Sequence, residues 1–203
     1  MPPISFQQCP IKPKSDVKYL GVYFDEGLTW EKQANHIRQK VYSGLNKIKR
    51  VSSTLDDATK RLLINALVYS HLNYCMNTWS NTLAHVSNRF VSLTRQIDRV
   101  VPMNKPFDKL KKFNTAVMAF KAVNKISPLY LSKHLPLIQN PNGVSTRANK
   151  QKKLRVTKVH NNFDKKTFLY NATKVWNDLP NELRTSQSLV TFKSKAKSHF
   201  FDV

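Results

Sequence analysis

The sequence KYLGVYFDEGLTW, residues 18–30, decides the fold because it marks the change from a strand pattern to a helix pattern. Its first part belongs to VKYLGVYF (17–24), which is rich in β-branched and aromatic residues and is followed by Asp25, Glu26 and Gly27. A run of this kind between turn formers predicts a strand, here one arm of a hairpin. Strand structure is therefore expected near residues 4–24, with helix from Trp30 onward.

The segment after Trp30 has apolar residues at every third or fourth position, which predicts an amphipathic helix of about 20 residues. Thr29 is the predicted N-cap, and Glu31 suits the positive end of the helix dipole. The apolar positions of this first helix are Ala34, Ile37, Val41, Leu45, Ile48 and Val51.

A second helix is predicted to begin at Asp56 or Asp57, either of which can cap it. Its apolar face is broad, which favours a central position in the fold. That face comprises Leu62, Leu63, Ala66, Leu67 and Tyr69. The same spacing predicts further helices over 83–100 and 110–126, each of which ends before a proline.

The composition changes over residues 139–166, where turn formers and basic residues replace the apolar periodicity. Two short helices are expected after it, over 168–179 and 188–201. The predicted fold is thus mostly α. It divides into a short N-terminal β-hairpin (1–28), a helical bundle (29–101), an additional helix (102–138), a basic connector (139–166) and a C-terminal helical segment (167–203).

The charge of the chain points to an acidic partner. The 203 residues include 34 Lys and Arg against 12 Asp and Glu, a net charge of +22. Residues 105–166 alone contain 15 basic residues and two acids. Lys and Arg placed on phosphates release condensed counterions, so nucleic acid is the expected partner, although any single lysine can simply belong to a solvated helix face.

The sequence predicts no membrane partner and no secretion. No apolar run has the length of a membrane span, and the opening MPPISFQQCPIKPK lacks the apolar stretch of a signal peptide. An intracellular chain, nuclear or cytoplasmic, is expected. Cys9 and Cys75 are too few and too far apart for a disulfide framework or a zinc site, so both are expected as reduced thiols.

Two patterns invite a catalytic or metal interpretation, and the sequence favours a structural one for each. Adjacent Asp56 and Asp57 can clamp Mg²⁺, but they stand where a helix begins, so capping is expected. His71 and Cys75 are four residues apart, yet two ligands do not make a zinc site, and a buried Cys beside a partly exposed His is favoured. No catalytic residue, metal ligand or cofactor is predicted.

Three motifs occur along the chain in a recognisable order. The first is KYLGVYFDEGLTW (18–30), and the second is LLINALVYSHLNYCMNTW (62–79). The third is a terminal block composed of Thr146-Arg147, VWNDLP (175–180) and SLVTFK (188–193). Together they resemble the region after the catalytic motifs in reverse transcriptases of non-LTR retrotransposons of the jockey and CR1 type.

The resemblance implies a division of labour within an RNA-directed DNA polymerase. A palm holds the metal-binding aspartates, a primer-grip hairpin ends in a YLG motif, and a helical thumb cradles template and primer. The primer-grip motif matches Lys18, Tyr19, Leu20 and Gly21, and the thumb matches residues 29–101. The aromatic-x-Asp-Asp motif does not occur in these 203 residues. The chain alone is therefore expected to be inactive as a polymerase, and Mg²⁺ would belong to the palm.

The expected ligand is an RNA–DNA hybrid or duplex, bound through its backbone with weak sequence specificity. The basic residues expected to contact phosphates are Lys47, Lys49, Arg50, Lys60, Arg61, Arg147, Lys150, Lys152, Lys153 and Arg155. For the five in the connector, the competing interpretation is a loose, solvated linker.

Several of the matching residues also have purely structural interpretations. Gly21 can bend a strand or allow a close backbone approach. The three tryptophans, Trp30, Trp79 and Trp176, can stack on bases, but core packing is favoured. Tyr74 and Cys75 are predicted to be core residues.

A second function stays open at this stage. The chain can be a non-enzymatic helical protein derived from such an element, with a protein or RNA partner. Apolar helix docking would barely respond to salt, whereas phosphate binding would weaken steeply.

Overall fold

The structure is a computed structural model that describes residues 5–6, 9–10, 14–81, 84–138, 151–156, 158–159 and 161–201. These residues confirm the predicted fold class: they are mostly helical, and the strands among them lie in the N-terminal part, with one isolated bridge elsewhere, Leu137 to Leu154. The strands are β1 (Ser5–Phe6), β2 (Cys9–Pro10), β3 (Asp16–Tyr19) and β4 (Val22–Asp25). They pair as two antiparallel hairpins, β1 with β2 and β3 with β4.

The helices follow the predicted order. They are α1 (Glu31–Val51), α2 (Asp57–Ile64), α3 (Ser70–Asn73), α4 (Met76–Trp79), α5 (Ala84–Asp98), α6 (Phe107–Val123), α7 (Leu129–His134), α8 (Phe168–Asp178), α9 (Asn181–Arg184) and α10 (Leu189–Phe201). A π-helical turn, Asn65–Tyr69, joins α2 to α3, and 3₁₀ turns span Ser52–Thr54 and Asp164–Lys166. Asp56 caps α2 as predicted, accepting a hydrogen bond from the Thr59 amide at 3.3 Å.

The strand predicted over 17–24 is in fact two strands joined by a two-residue turn. Tyr19 pairs with Val22, and Leu20 and Gly21 between them have φ values of 45° and 80°. Positive φ at both central residues is the requirement of a type I′ hairpin turn, which Gly meets without steric cost. Gly21 therefore turns the chain, and the YLGV motif forms the tip of the hairpin.

The tip of this hairpin rests on Tyr74. The Tyr74 hydroxyl donates to the Leu20 carbonyl at 2.7 Å, and a Cβ at Gly21 would lie 3.4 Å from the Tyr74 ring. Tyr74 and Cys75 were predicted as core residues, and that prediction is wrong. Tyr74 is 51% exposed, and Cys75 is exposed at a left-handed backbone position that breaks the helix between α3 and α4. An αL residue does not continue a right-handed helix, so Tyr74 and Cys75 do not follow the buried face of α3.

A single cluster of buried residues extends from Ala34 in α1 to Phe201 in α10. Helix α6 packs against helices from both halves of the chain. Helices α4 and α5 precede it in the sequence, and helices α8 and α10 follow it. At its start, Phe107 stacks with Phe90 at 4.9 Å between ring centroids. Near its end, Phe120 stacks with Phe192 at 4.4 Å. Trp79 and Trp176 are fully buried beside these two pairs, which confirms their predicted core positions.

The face that the second helix presents to the core agrees with the predicted one only in part: Tyr69 is buried and Leu63 packs against the core, as predicted, but the other predicted positions are exposed. Leu62 is 68% exposed and Leu67 is 39% exposed. The buried residues are Ile64, Val68, Tyr69 and Leu72. The run LLINALVY has apolar residues on nearly every side of the helix, so their spacing alone does not select the buried face. The π turn at Asn65–Tyr69 also shifts the residues after it relative to an α-helical repeat.

Helix α1 approaches the π turn at Gly44. A Cβ at Gly44 would lie 2.6 Å from the Leu67 carbonyl oxygen, closer than real Cβ atoms come. Because the obstructing atom belongs to the backbone, no side-chain rotation can relieve the contact. Glycine is thus required in the middle of a helix, where it otherwise costs roughly 1 kcal/mol relative to Ala.

We expect Gly44→Ala to destabilise the fold by about 1–3 kcal/mol, the usual cost of overpacking, although helix propensity alone would make this change stabilising. Urea unfolding followed by circular dichroism measures the difference. The matched control is Ser43→Ala, at the exposed neighbouring position on the same helix. Equal or higher stability of Gly44→Ala would contradict the close approach of α1 to the π turn.

The start of α1 is held mainly by Asp25. Thr29, the predicted cap, lies one residue before the N-cap position, and its hydroxyl accepts a longer hydrogen bond from the Glu31 amide at 3.4 Å. The Asp25 carboxylate accepts hydrogen bonds from the backbone amides of Thr29 at 2.7 Å and Trp30 at 2.8 Å. The N-cap position itself is Trp30, in an αL conformation with no side-chain cap. Partial burial alone would raise the pKa of Asp25, but these hydrogen bonds outweigh it and hold the pKa below its ordinary value.

We expect Asp25→Ala to cost about 1 kcal/mol, as loss of a capping carboxylate usually does. The pKa of Asp25 is lower in the folded chain than in the unfolded chain, so its contribution is present above the unfolded pKa of 3.8 and is lost as the pH falls through the folded value. Thermal unfolding at pH 7 and at pH 2–3 checks both statements. Glu26→Ala, which removes the same charge from an exposed neighbour, is the control. Equal effects of the two changes at pH 7 would refute the capping role.

Candidate nucleic-acid interface

The predicted primer-grip residues lie at the tip and on one arm of the β3–β4 hairpin. Lys18, Tyr19, Leu20 and Gly21 are all exposed. Two contacts fix the hairpin beneath them: the Gln33 side chain accepts a hydrogen bond from the Tyr23 amide at 2.9 Å, and Tyr74 holds the tip. The four matching residues are thus presented on a rigid turn.

Basic side chains lie close to Tyr23 on this hairpin. The Lys18 ammonium lies 5.2 Å from the Tyr23 ring centroid, and the His36 ring meets the edge of Tyr23 at 5.2 Å. Burial lowers the pKa of His36, and the nearby charges of Lys18, Lys40 and His71 lower it further. We call Lys18, His36, Lys40 and His71 the hairpin cluster. His71, predicted as partly exposed, is exposed.

Repulsion within the hairpin cluster lowers the stability of the folded chain when no ligand is bound. Because the folded pKa of His36 lies below its unfolded value of 6.5, the unfolded chain takes up the proton first. Folded stability therefore decreases as the pH falls from 6.5 through the folded value. A phosphate near these groups would favour the charged form of His36 and reduce that cost.

The basic residues of the first two helices lie mostly in solvent. Lys47, Lys49 and Arg50 are exposed in the last turns of α1, where the helix dipole favours positive charge. Arg61 is exposed on α2. Lys60 differs, since its ammonium pairs with Asp57 at 3.2 Å and its side chain is 17% exposed.

In the connector, Arg147 and Lys150 lie outside the described residues. Lys152 and Lys153 are partly exposed, and Arg155 is exposed. The main chain of this segment is hydrogen-bonded to residues 136–138. The Ile138 amide donates to the Lys153 carbonyl at 2.8 Å, and the Arg155 amide donates to the Pro136 carbonyl at 2.9 Å. Leu154 is fully buried. Residues 151–155 are therefore attached to the helical body.

Three side chains of the C-terminal segment hold this part of the connector. The Trp176 indole donates to the Lys152 carbonyl at 2.8 Å. The Asn177 amide both donates to the Leu154 carbonyl and accepts from the Leu154 amide, each at 2.9 Å. We call Trp176, Asn177 and Arg184 the connector clasp.

Arg184 completes the connector clasp from α9. It is 3% exposed, and its Nε donates to the Gln151 carbonyl at 2.8 Å. Its Nη1 donates to the carbonyls of Asn177, at 3.0 Å, and Leu179. Burial lowers the pKa of Arg184, and these carbonyl partners offset the cost of burying the guanidinium. The Trp-Asn-x-Leu-Pro motif (176–180) thus has a structural role, which the sequence alone did not reveal.

The two acids considered for metal binding have structural partners. The hydrogen bond from Thr59 holds the pKa of Asp56 below its ordinary value, as expected for a helix cap, and Asp57 pairs with Lys60. Within the described ranges, no group of three or more His, Cys, Asp and Glu side chains is placed to hold a metal ion. Nor does any helix there have the length and apolarity needed to cross a membrane.

Comparison of the chain with protein-family models, with curated proteins and with solved structures gives no match.

We expect Asn177→Ala to destabilise the fold by about 1–3 kcal/mol, because it leaves the buried amide and carbonyl of Leu154 without their partners. The change should also speed hydrogen exchange of the Leu154 amide. Asp178→Ala, at the exposed next residue, is the control. Unchanged exchange at Leu154 in Asn177→Ala would show that the clasp does not hold the connector.

Proposed function

We propose that this chain is the primer-grip, thumb and post-thumb region of a non-LTR retrotransposon reverse transcriptase, and that it binds nucleic acid through the phosphate backbone. The observation that carries the proposal is the uncompensated charge, +22 over 203 residues. A folded chain with this excess repels itself unless counterions or a polyanion screen it.

The placement of the exposed cations supports the same proposal. Lys18 stands on a hairpin whose tip is fixed by Tyr74, and Lys47, Lys49 and Arg50 project from the end of α1. Rigid presentation lowers the entropy lost when a ligand binds. Lys and Arg would track phosphates, and an RNA–DNA hybrid would be recognised by groove shape and 2′-hydroxyl groups, with weak sequence preference.

Polymerisation by this chain alone is not part of the proposal. Two-metal catalysis of nucleotide transfer needs carboxylates that hold both ions, and Asp56 is engaged as a helix cap. In the proposed polymerase, the aspartates of the palm supply that chemistry, and the present segment holds the template and primer.

The connector offers the sharpest test. We expect replacement of Arg147, Lys150, Lys152, Lys153 and Arg155 by Gln to weaken binding of unrelated hybrid sequences about equally. Loss of each phosphate contact should also flatten the slope of log affinity against log salt by up to about 0.9, the B-form DNA value. Fluorescence anisotropy with labelled 16-base-pair hybrids between 50 and 200 mM salt measures both quantities.

The control keeps the charge at the same five positions by exchanging Lys for Arg and Arg for Lys. If the Gln variant retains the affinity and slope of the wild type, the connector does not contact the ligand and the contacts must lie on the helices. The same titration separates the alternative function. Six phosphate contacts lose a factor on the order of 10³ in affinity over this salt range, whereas apolar docking by a helical interaction protein barely changes.

A further inference from the structure

Two neighbouring cavities, which share part of their lining, lie between the π turn, α3, α6 and α10. They have volumes of about 360 Å³ and 510 Å³, and Asn73, Phe113 and Asn114 line both. We call the combined cavity the lysine–asparagine groove. Its polar lining consists of Lys105, Lys121, Lys193, Lys197, Asn65, Asn73, Asn77, Asn114 and Thr78, and it includes Tyr69, Met76, Phe113, Val117 and Phe201 among its apolar residues.

The groove is built from helices distant in sequence. Asn65, Tyr69 and Asn73 are spaced by four residues along the π turn and α3. Asn114 and Lys121 are two turns apart on α6, and Lys193 and Lys197 are one turn apart on α10. No linear motif marks such a site, which is why sequence reasoning missed it.

Each half of the groove contains two lysines, Lys105 with Lys197 and Lys121 with Lys193. Among the described residues that line it, none is acidic. The Lys105 ammonium donates to the Asn65 side chain at 3.2 Å and lies 5.1 Å from the Tyr69 ring centroid. Burial lowers the pKa of Lys105, and the charge of Lys197 lowers it further, so the two ammonium groups interact. An anion between them would relieve this repulsion.

The amides of the groove are held in place by one another. The Asn114 side chain donates to Asn73 Oδ1 at 3.0 Å and to the Leu110 carbonyl at 3.0 Å. The Asn77 side chain donates to the Asn114 carbonyl at 3.3 Å and accepts from the Thr115 hydroxyl at 3.2 Å. This network preorganises the polar wall beside the partly exposed ring of Phe113.

We propose that the lysine–asparagine groove binds single-stranded nucleic acid. Each cavity has the volume of a small-molecule site, which suits groups of the size of a single nucleotide. Proteins bind single strands with lysines that neutralise the phosphates and aromatic rings that stack on bases. The groove offers both, with the partly exposed ring of Phe113, which also contacts Phe201 at 5.4 Å between centroids, as the candidate for stacking. The inference rests on the proposed function and adds to it a place for an unpaired strand, separate from the surface that holds the hybrid.

Binding of fluorescein-labelled oligo(dT) and oligo(rU) 12-mers, measured by anisotropy with the full chain, tests this inference. We expect a variant with Lys105, Lys121, Lys193 and Lys197 all changed to Gln to bind the oligomers at least tenfold more weakly than the wild type. Its salt slope should flatten by up to about 2.8, from four contacts at about 0.7 each for single strands.

The control removes four charges elsewhere, by changing Lys133, Lys158, Lys165 and Lys174 to Gln. All four are exposed and none lines the groove. A second variant, Phe113→Leu, keeps an apolar side chain but loses the stacking ring, and it should weaken oligomer binding about fivefold with an unchanged salt slope. Loss of charge would flatten the salt slope, so weaker binding with an unchanged slope identifies the contribution of the ring.

The outcomes separate this inference from the proposed function. If the wild type binds neither hybrid nor single strand at 50 mM salt, both fail. If it binds the hybrid but the groove and control variants bind the oligomers equally well, the groove is not the site and the inference is overturned, while the proposed function stands. A groove variant that loses oligomer binding and keeps hybrid binding supports both.

Discussion

Helix α6 is the element on which the rest of the structure depends, because both halves of the chain bury their largest side chains against it. Phe107 at its start joins the cluster of Trp79 and Phe90, and Phe120 near its end joins Trp176 and Phe192. Between them, Phe113 meets the ring of Phe201 at 5.4 Å. A helix with neighbours on several sides must be apolar on several sides, and α6 accordingly lacks the single narrow stripe of a surface helix.

This arrangement gives structural roles to residues of the second motif and of the terminal block. Trp176 and Asn177 of the terminal block hold the main chain of the connector, and Tyr74 of the second motif holds the tip of the hairpin. These residues position other segments and leave the cations on those segments exposed. In this fold, these motif residues therefore act by fixing neighbouring segments of the main chain.

Sequence reasoning predicted the elements well where periodicity was strong. Helix α1 and the buried positions Val86, Phe90 and Leu93 of α5 follow directly from the spacing of apolar residues. It failed where tertiary contacts decide between local options. Asp25, at the end of β4, binds the amides of Thr29 and Trp30 before α1, and the αL backbone at Cys75 breaks the helix at two residues that were expected in the core. The lysine–asparagine groove could not be predicted for the same reason, because tertiary contacts bring together residues as distant in sequence as Asn65 and Phe201.

The charge that suggests the function also constrains the fold. Burial disfavours the charged forms of Lys105 and Lys111, and neighbouring cations add to that cost at Lys105 and His36. Salt and a bound polyanion both reduce this repulsion, but they differ in effect. Salt screens every exposed charge and weakens phosphate contacts, whereas a polyanion that binds the folded chain stabilises it by mass action. Stability that increases with added salt while affinity decreases is therefore the signature expected of a fold whose surface charges serve binding and oppose compactness.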